Sequence, residues 1–139
     1  MRFFASLSVW VLLRSPLANS KAVSMDHAAR RSEPHFDFQG DSGALYRFRQ
    51  IPEPQFLPGS GGNFICARQD RDGVSVLACG AASDLRQALQ LCEKAIREQL
   101  ADHIYIRLNV SGAVRAAEHA DIAARYKPAV AVADVNERS

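Results

Sequence analysis

GNFICARQDRDGVSVLACG, residues 62–80, is the stretch on which the fold turns. Residues 63–69 place Phe64 and Cys66 on one side and Ile65 and Ala67 on the other, and residues 73–79 are almost continuously apolar. Between them QDRDG is a turn, with Gly73 available for a positive φ. Two apolar runs around a charged turn predict a hairpin buried on both faces.

The flanking sequence supplies what would bury it. Asp84 or Ser83 can cap a following helix, along which Leu85, Ala88, Leu89, Cys92, Ala95, Ile96 and Leu100 recur at three- and four-residue steps. HIYIRLNV (103–110) puts Ile104, Ile106, Leu108 and Val110 on one face of a strand. Ser111 then caps a second helix over about 112–125, with Val114, Ala117 and Ile122 as its apolar face and Asp121 placed to pair with Arg125. Pro128 stops it.

Upstream, ALYRFRQI (44–51) alternates Tyr46 and Phe48 with Arg47 and Arg49, the period of a strand with one apolar face. PEPQFLPGSGG (52–62) holds three prolines and three glycines and reads as a loop. Residues 25–43 are polar and aperiodic, a flexible lead-in; residues 129–139 form a tail, read equally as an added strand or as unpacked chain. The order of strand, hairpin, helix, strand and helix predicts an α+β domain over 44–128: a small mixed or antiparallel sheet, the hairpin plus added strands, flanked by two or more helices.

Composition narrows the function classes. With 139 residues and 47% hydrophobic content the chain suits one compact domain. Arg2, Arg14 and Lys21 account for three of its 17 basic residues, so residues 25–139 carry 14 Lys and Arg against 15 Asp and Glu, close to −1. A strongly basic nucleic-acid or membrane surface is not written into that balance, though a local basic patch is compatible with it. Cys66, Cys79 and Cys92 lack the CxxC or CxxxH spacing of a zinc site and read as three small buried hydrophobes of a reducing compartment.

Residues 1–24 admit two origins. MRFFASLSVWVLL has one early basic residue, then an apolar run from Phe3 to Leu13 followed by small residues suited to signal cleavage. That run is too short to span a bilayer as a helix, so no integral membrane segment is expected. Translation starting at Met25 is one origin and an export signal the other, with an amphipathic or buried segment as a third reading, and the expected location is cytoplasmic unless the signal is genuine.

Element order and glycine placement together resemble the GIY-YIG nuclease domain, in particular small bacterial members with an arginine- and aromatic-rich strand before the motif. The resemblance covers about Leu45 to Pro128. In that family the first hairpin strand carries Gly-Ile-Tyr and the second ends in Tyr-Ile-Gly. The next helix bears an arginine, and a later helix bears a metal-binding glutamate ahead of a proline. This chain offers GNF, ACG, SDLRQAL and AAEHADIAARYKP.

The resemblance assigns the motif positions to Phe64, Ala78, Arg86, Glu118 and His119. Phe64 keeps an aromatic ring without a hydroxyl, and Ala78 keeps neither. The family's arginine position falls on Ala88; Arg86 stands two residues earlier, about 200° around a helix. Counting back from Pro128 reaches His119, with Glu118 beside it as the alternative metal ligand. Phosphodiester hydrolysis needs an activated water, a metal on a carboxylate and a cation for the developing charge. The substitutions therefore imply a domain with impaired or no catalysis and a retained role in binding nucleic acid or a protein. Without catalysis no cofactor is expected. Two alternatives stand beside it: an active DNA endonuclease using Mg2+ or Mn2+ on Glu118, and a small exported interaction domain. Arg47, Arg49 and Arg107 read either as the wet face of a sheet or as a phosphate cradle, and Tyr105 and Tyr126 as rings able to stack on bases.

Overall fold

The computed structural model describes residues 34–135, so the readings considered for residues 1–24 lie outside the described residues. The described elements are β1 (His35–Gln39), β2 (Leu45–Ile51), β3 (Gly62–Asp70), β4 (Gly73–Ala82), α1 (Leu89–Gln99), β5 (His103–Leu108), α2 (Gly112–Tyr126) and β6 (Val130–Val135). The strands form one mixed sheet in the order β1-β2-β5-β3-β4-β6. All neighbours are antiparallel except β4 and β6, which are parallel. The fold is α+β.

A helix covers each face of the sheet. On the α1 side Phe64, Cys66, Ala78, Leu85, Ala88, Cys92, Ala95, Ile104 and Ile106 form one buried core. On the α2 side Phe38, Phe48, Ile65, Ala67, Cys79, Tyr105 and Ile122 form the other. The hairpin at 62–80 is the shared wall, which is why its strands are apolar on both faces.

Two local features of that wall position everything else. The β3–β4 register slips once, pairing Cys66 with Ala78 but Ala67 with Val76, so Leu77 is an extra residue in β4. Such a bulge breaks the alternation: Val76 and Cys79 pack on the α2 side, and Ala78 with its neighbour Leu77 on the α1 side. The glycines have steric work of their own. A Cβ at Gly62 would lie 2.4 Å from the Arg107 carbonyl oxygen, and one at Gly80 would lie 2.6 Å from Cζ of Phe64.

Two elements differ from the sequence reading, and a third resolves a choice it left open. The polar stretch 25–43 contains β1, whose Phe38 is buried edge-on to Phe48 at 5.3 Å between ring centroids; only two residues, Phe36 and Phe38, carry the alternation there. The final stretch is a strand, β6, laid along β4. The predicted first helix opens with a 3-10 turn, Leu85–Ala88, and becomes α-helical only from Leu89. Asp84 caps that turn by accepting from the Arg86 amide.

Asp121 also departs from expectation. Instead of pairing with Arg125 it reaches the β1–β2 turn, accepting from the Tyr46 hydroxyl at 2.7 Å and from the Ser42 hydroxyl and amide at 2.6 and 2.8 Å. The Ser42 and Tyr46 hydrogen bonds hold its carboxyl below the usual carboxylate range, and the same contact raises the Tyr46 phenol. Three oriented donors outcompete a surface pair on the same helix, which is worth only about 0.3–0.5 kcal/mol.

Candidate functional site

Alternation along β3 sends Phe64 to the α1 side of the sheet, and the bulge sends Ala78 to the same side. Both are fully buried there, as is Ala88. Phe64 lies across Gly80, so the aromatic position of the first strand is filled by core packing.

Arg86 is on the exposed 3-10 turn. Its guanidinium pairs with Asp84, NH2 to Oδ2 at 2.9 Å, and lies over Gly59, where a Cβ would stand 2.9 Å from Cζ. The pair lowers the Asp84 carboxyl and raises the guanidinium. Arg86 thus anchors the Pro- and Gly-rich loop over the start of the turn.

Glu118 and His119 stand on α2, across the sheet from Phe64 and Ala78. His119 is buried at 7% exposure, with Nδ1 3.9 Å from the Sγ of Cys79, and desolvation lowers its pKa. The same desolvation pushes the Cys79 thiol up to about 12. Glu118 faces β5 instead. Its carboxylate accepts from Arg107 Nε at 2.8 Å and from Asn109 Nδ2 at 3.0 Å. The five motif positions are therefore split between the two faces of the sheet rather than gathered on one.

Around Glu118 the structure builds a polar network that the apolar pattern of the hairpin obscures. Asn63, 1% exposed, accepts from Asn109 Nδ2 at 3.3 Å and donates to the Arg115 carbonyl at 3.0 Å. Arg115 donates in turn to the carbonyls of Asn109 and Val110. The available signal was Asn63 itself, a polar residue at a buried position of a strand. Apart from the carboxylate, the side chains meeting here are the Arg107 guanidinium and the Asn63 and Asn109 amides, and Asn63 Oδ1 is already taken by Asn109. A divalent ion on Glu118 would have to displace a guanidinium and would meet further cations, so these residues do not suit one. Among the described residues no three His, Cys, Asp or Glu side chains are grouped to share a metal ion.

A second feature lies on the α1 side, beyond the helix. The β2–β5 ladder ends at Arg49–Ile106. Past that point opens a groove of about 270 Å3 lined by His35, Arg47, Arg49, Ile106, Arg107 and Leu108. The Arg107 guanidinium itself stays on the α2 side, where NH1 donates to the Arg47 carbonyl at 3.3 Å and the guanidinium carbon lies 5.6 Å from the Tyr46 ring centroid. Arg47 pairs with Asp37 at 3.1 Å, both largely exposed. An exposed pair of this kind is worth about 0–1 kcal/mol and exchanges readily for another anion. The groove therefore brings Arg47, Arg49 and His35 to one lining, a basic surface in a domain of near-zero charge.

Neither tyrosine offered for base stacking is free for it. Tyr105 is buried against Phe38, and the Tyr126 hydroxyl accepts from the Gln39 amide at 3.2 Å. No helix among the described residues is long and apolar enough to cross a membrane. No family model, curated protein or solved structure matches this chain.

Proposed function

We propose that this chain is a GIY-YIG-like domain that binds without cleaving, and that its ligand is nucleic acid held by phosphates in the groove lined by Arg47 and Arg49. The observation that carries the reading is the separation of the motif positions. Phe64 and Ala78 are sealed beneath α1 without a hydroxyl between them, while Glu118 is held by Arg107 on the other side of the sheet. A base, a carboxylate-held metal and a charge-stabilising cation must meet at one phosphorus atom. Here their positions have no common space, whereas Arg47 and Arg49 line one groove at the open end of β2 and β5. Planar guanidiniums match phosphate geometry, which favours a phosphate-bearing ligand over a generic anion.

Binding is tested by fluorescence anisotropy with a labelled single-stranded oligonucleotide and its duplex. Two phosphate contacts imply a slope of log K against log salt of about −1.4 to −1.8, so affinity falls roughly 7- to 12-fold between 50 and 200 mM salt. Arg47→Glu with Arg49→Glu abolishes that binding. In parallel, supercoiled plasmid with Mg2+ or Mn2+ stays intact. Absence of salt-sensitive binding removes the nucleic-acid ligand, and plasmid cleavage lost in Glu118→Ala reinstates the nuclease.

A further inference from the structure

Three cysteines are present, and the fold distinguishes sharply between them. Cys79 points to the α2 side and lies beside His119. Cys66 on β3 and Cys92 on α1 meet across the other core, where the Cys66 thiol donates to the Cys92 sulfur at 3.3 Å. Both are fully buried, and both are free thiols.

We propose that Cys66 and Cys92 are a built-in crosslinking site that closes to a disulfide when the chain folds under oxidising conditions, tying β3 to α1 and leaving Cys79 as the one remaining thiol. A disulfide sets its sulfurs about 2.05 Å apart. From the observed contact each sulfur needs to move only about 0.6 Å, within the reach of small side-chain torsions. The surroundings leave slack for that movement. Ala78 is the cross-strand partner of Cys66, and Ala88 and Ala95 lie one turn either side of Cys92 on the same buried face. None of these three has a side chain beyond Cβ, whereas the other cross-strand partner of Cys66, Ile104, fills the opposite flank.

The chemistry is thiol–disulfide exchange with a small-molecule disulfide such as glutathione disulfide. One cysteine thiolate attacks the oxidant and releases the first glutathione thiolate, leaving a mixed disulfide. The second cysteine thiolate then attacks the protein sulfur of that mixed disulfide, forming the Cys66–Cys92 bond and releasing the second glutathione thiolate. Two protein thiols are oxidised, one glutathione disulfide is reduced, and the two thiol protons pass to the two glutathione thiolates. Within the closed core neither thiol is accessible, and burial together with the neighbouring sulfur raises the Cys66 thiol and so opposes thiolate formation. The bond is consequently made while the chain folds or α1 is locally open. Its presence or absence records the redox state of the compartment in which the chain folded.

The test refolds the full chain from denaturant, once with a glutathione and glutathione disulfide buffer and once with dithiothreitol. Under oxidation the intact mass falls by about 2 Da, the thiols alkylated in denaturant drop from three to one, and digestion yields a peptide joining Cys66 to Cys92. The crosslinked form melts about 10 °C or more above the reduced form, as expected for a loop of this length in a domain of this size. Cys79→Ala still loses about 2 Da, whereas Cys92→Ala does not, and Cys79→Ala decides the matter even where Cys92→Ala fails to fold. Three alkylated thiols after oxidative refolding, a crosslink through Cys79, or a crosslinked form that melts no higher than the reduced one overturns the proposal.

Discussion

The ring of Phe64 occupies the space above Gly80, its partner directly across the ladder, so closely that a Cβ there would lie 2.6 Å from Cζ and 2.9 Å from the Val132 carbonyl oxygen. Gly80→Ala is therefore expected to destabilise the domain by about 1–3 kcal/mol through overpacking. Phe64→Leu in the same chain should recover part of that loss, as contacting residues couple. Urea denaturation of the two single variants and the double variant measures it, and a Gly80→Ala protein as stable as the parent contradicts the packing described.

Restoring the motif aromatic is expected to harm rather than help. Phe64→Tyr carries a phenol into a fully buried position, and an unpaired buried hydroxyl costs about 1–3 kcal/mol. The variant should be less stable by that amount and still leave supercoiled plasmid uncut. Any gain of metal-dependent cleavage on adding this hydroxyl would show that the position is open to substrate.

Glu118 is expected to matter for stability. Its loss removes the ionic partner of the Arg107 guanidinium, 31% exposed, and one of the two acceptors of the Asn109 amide. Glu118→Ala should lower stability by about 1–3 kcal/mol, with Glu118→Gln intermediate because it keeps an acceptor for Asn109. Thermal melts of the three proteins decide whether the carboxylate organises the network.

A buried imidazole and hydrogen-bonded carboxylates give the domain a two-step acid response. His119 has a folded pKa below its ordinary value near 6.5, so the unfolded chain takes up a proton first. Stability is full above about pH 6.5 and falls as pH drops below it. His119→Gln should flatten that first step. Asp121 is also depressed, and its contribution is present above about pH 4 and lost below. Asp121→Asn should shrink the second step and leave the first, the remainder coming from Asp84 and Asp102, whose hydrogen bonds also hold them low. Denaturation midpoints from pH 7.5 to 3.5 separate the windows, and an unchanged profile in His119→Gln excludes that histidine as the source.

Much of the architecture was legible because apolar periodicity reports burial. The alternation of Phe64 with Ile65 and the three- and four-residue recurrence from Leu85 to Ala95 each mark a face that must be covered. What stayed hidden involved few residues or non-local partners. β1 shows its period through Phe36 and Phe38 alone, and β6 becomes a strand by resting on β4, which lies some fifty residues upstream. The site was harder still. A one-residue bulge at Leu77 decides which way Ala78 points, and no local pattern marks it. Asp121 on α2 meets the β1–β2 turn only because β1 and α2 pack together, a relation with no trace in either segment.

The place of β5 in the sheet has a consequence for how this chain folds. The β1–β2 and β3–β4 pairs are each contiguous in sequence, so both hairpins can form early from local contacts. They share no ladder with one another, because β5 lies between β2 and β3. The half-sheets remain separate until a strand synthesised after α1 slots between their facing edges, and those edges, open meanwhile, are where the nascent chain is most exposed to mispairing with another copy of itself.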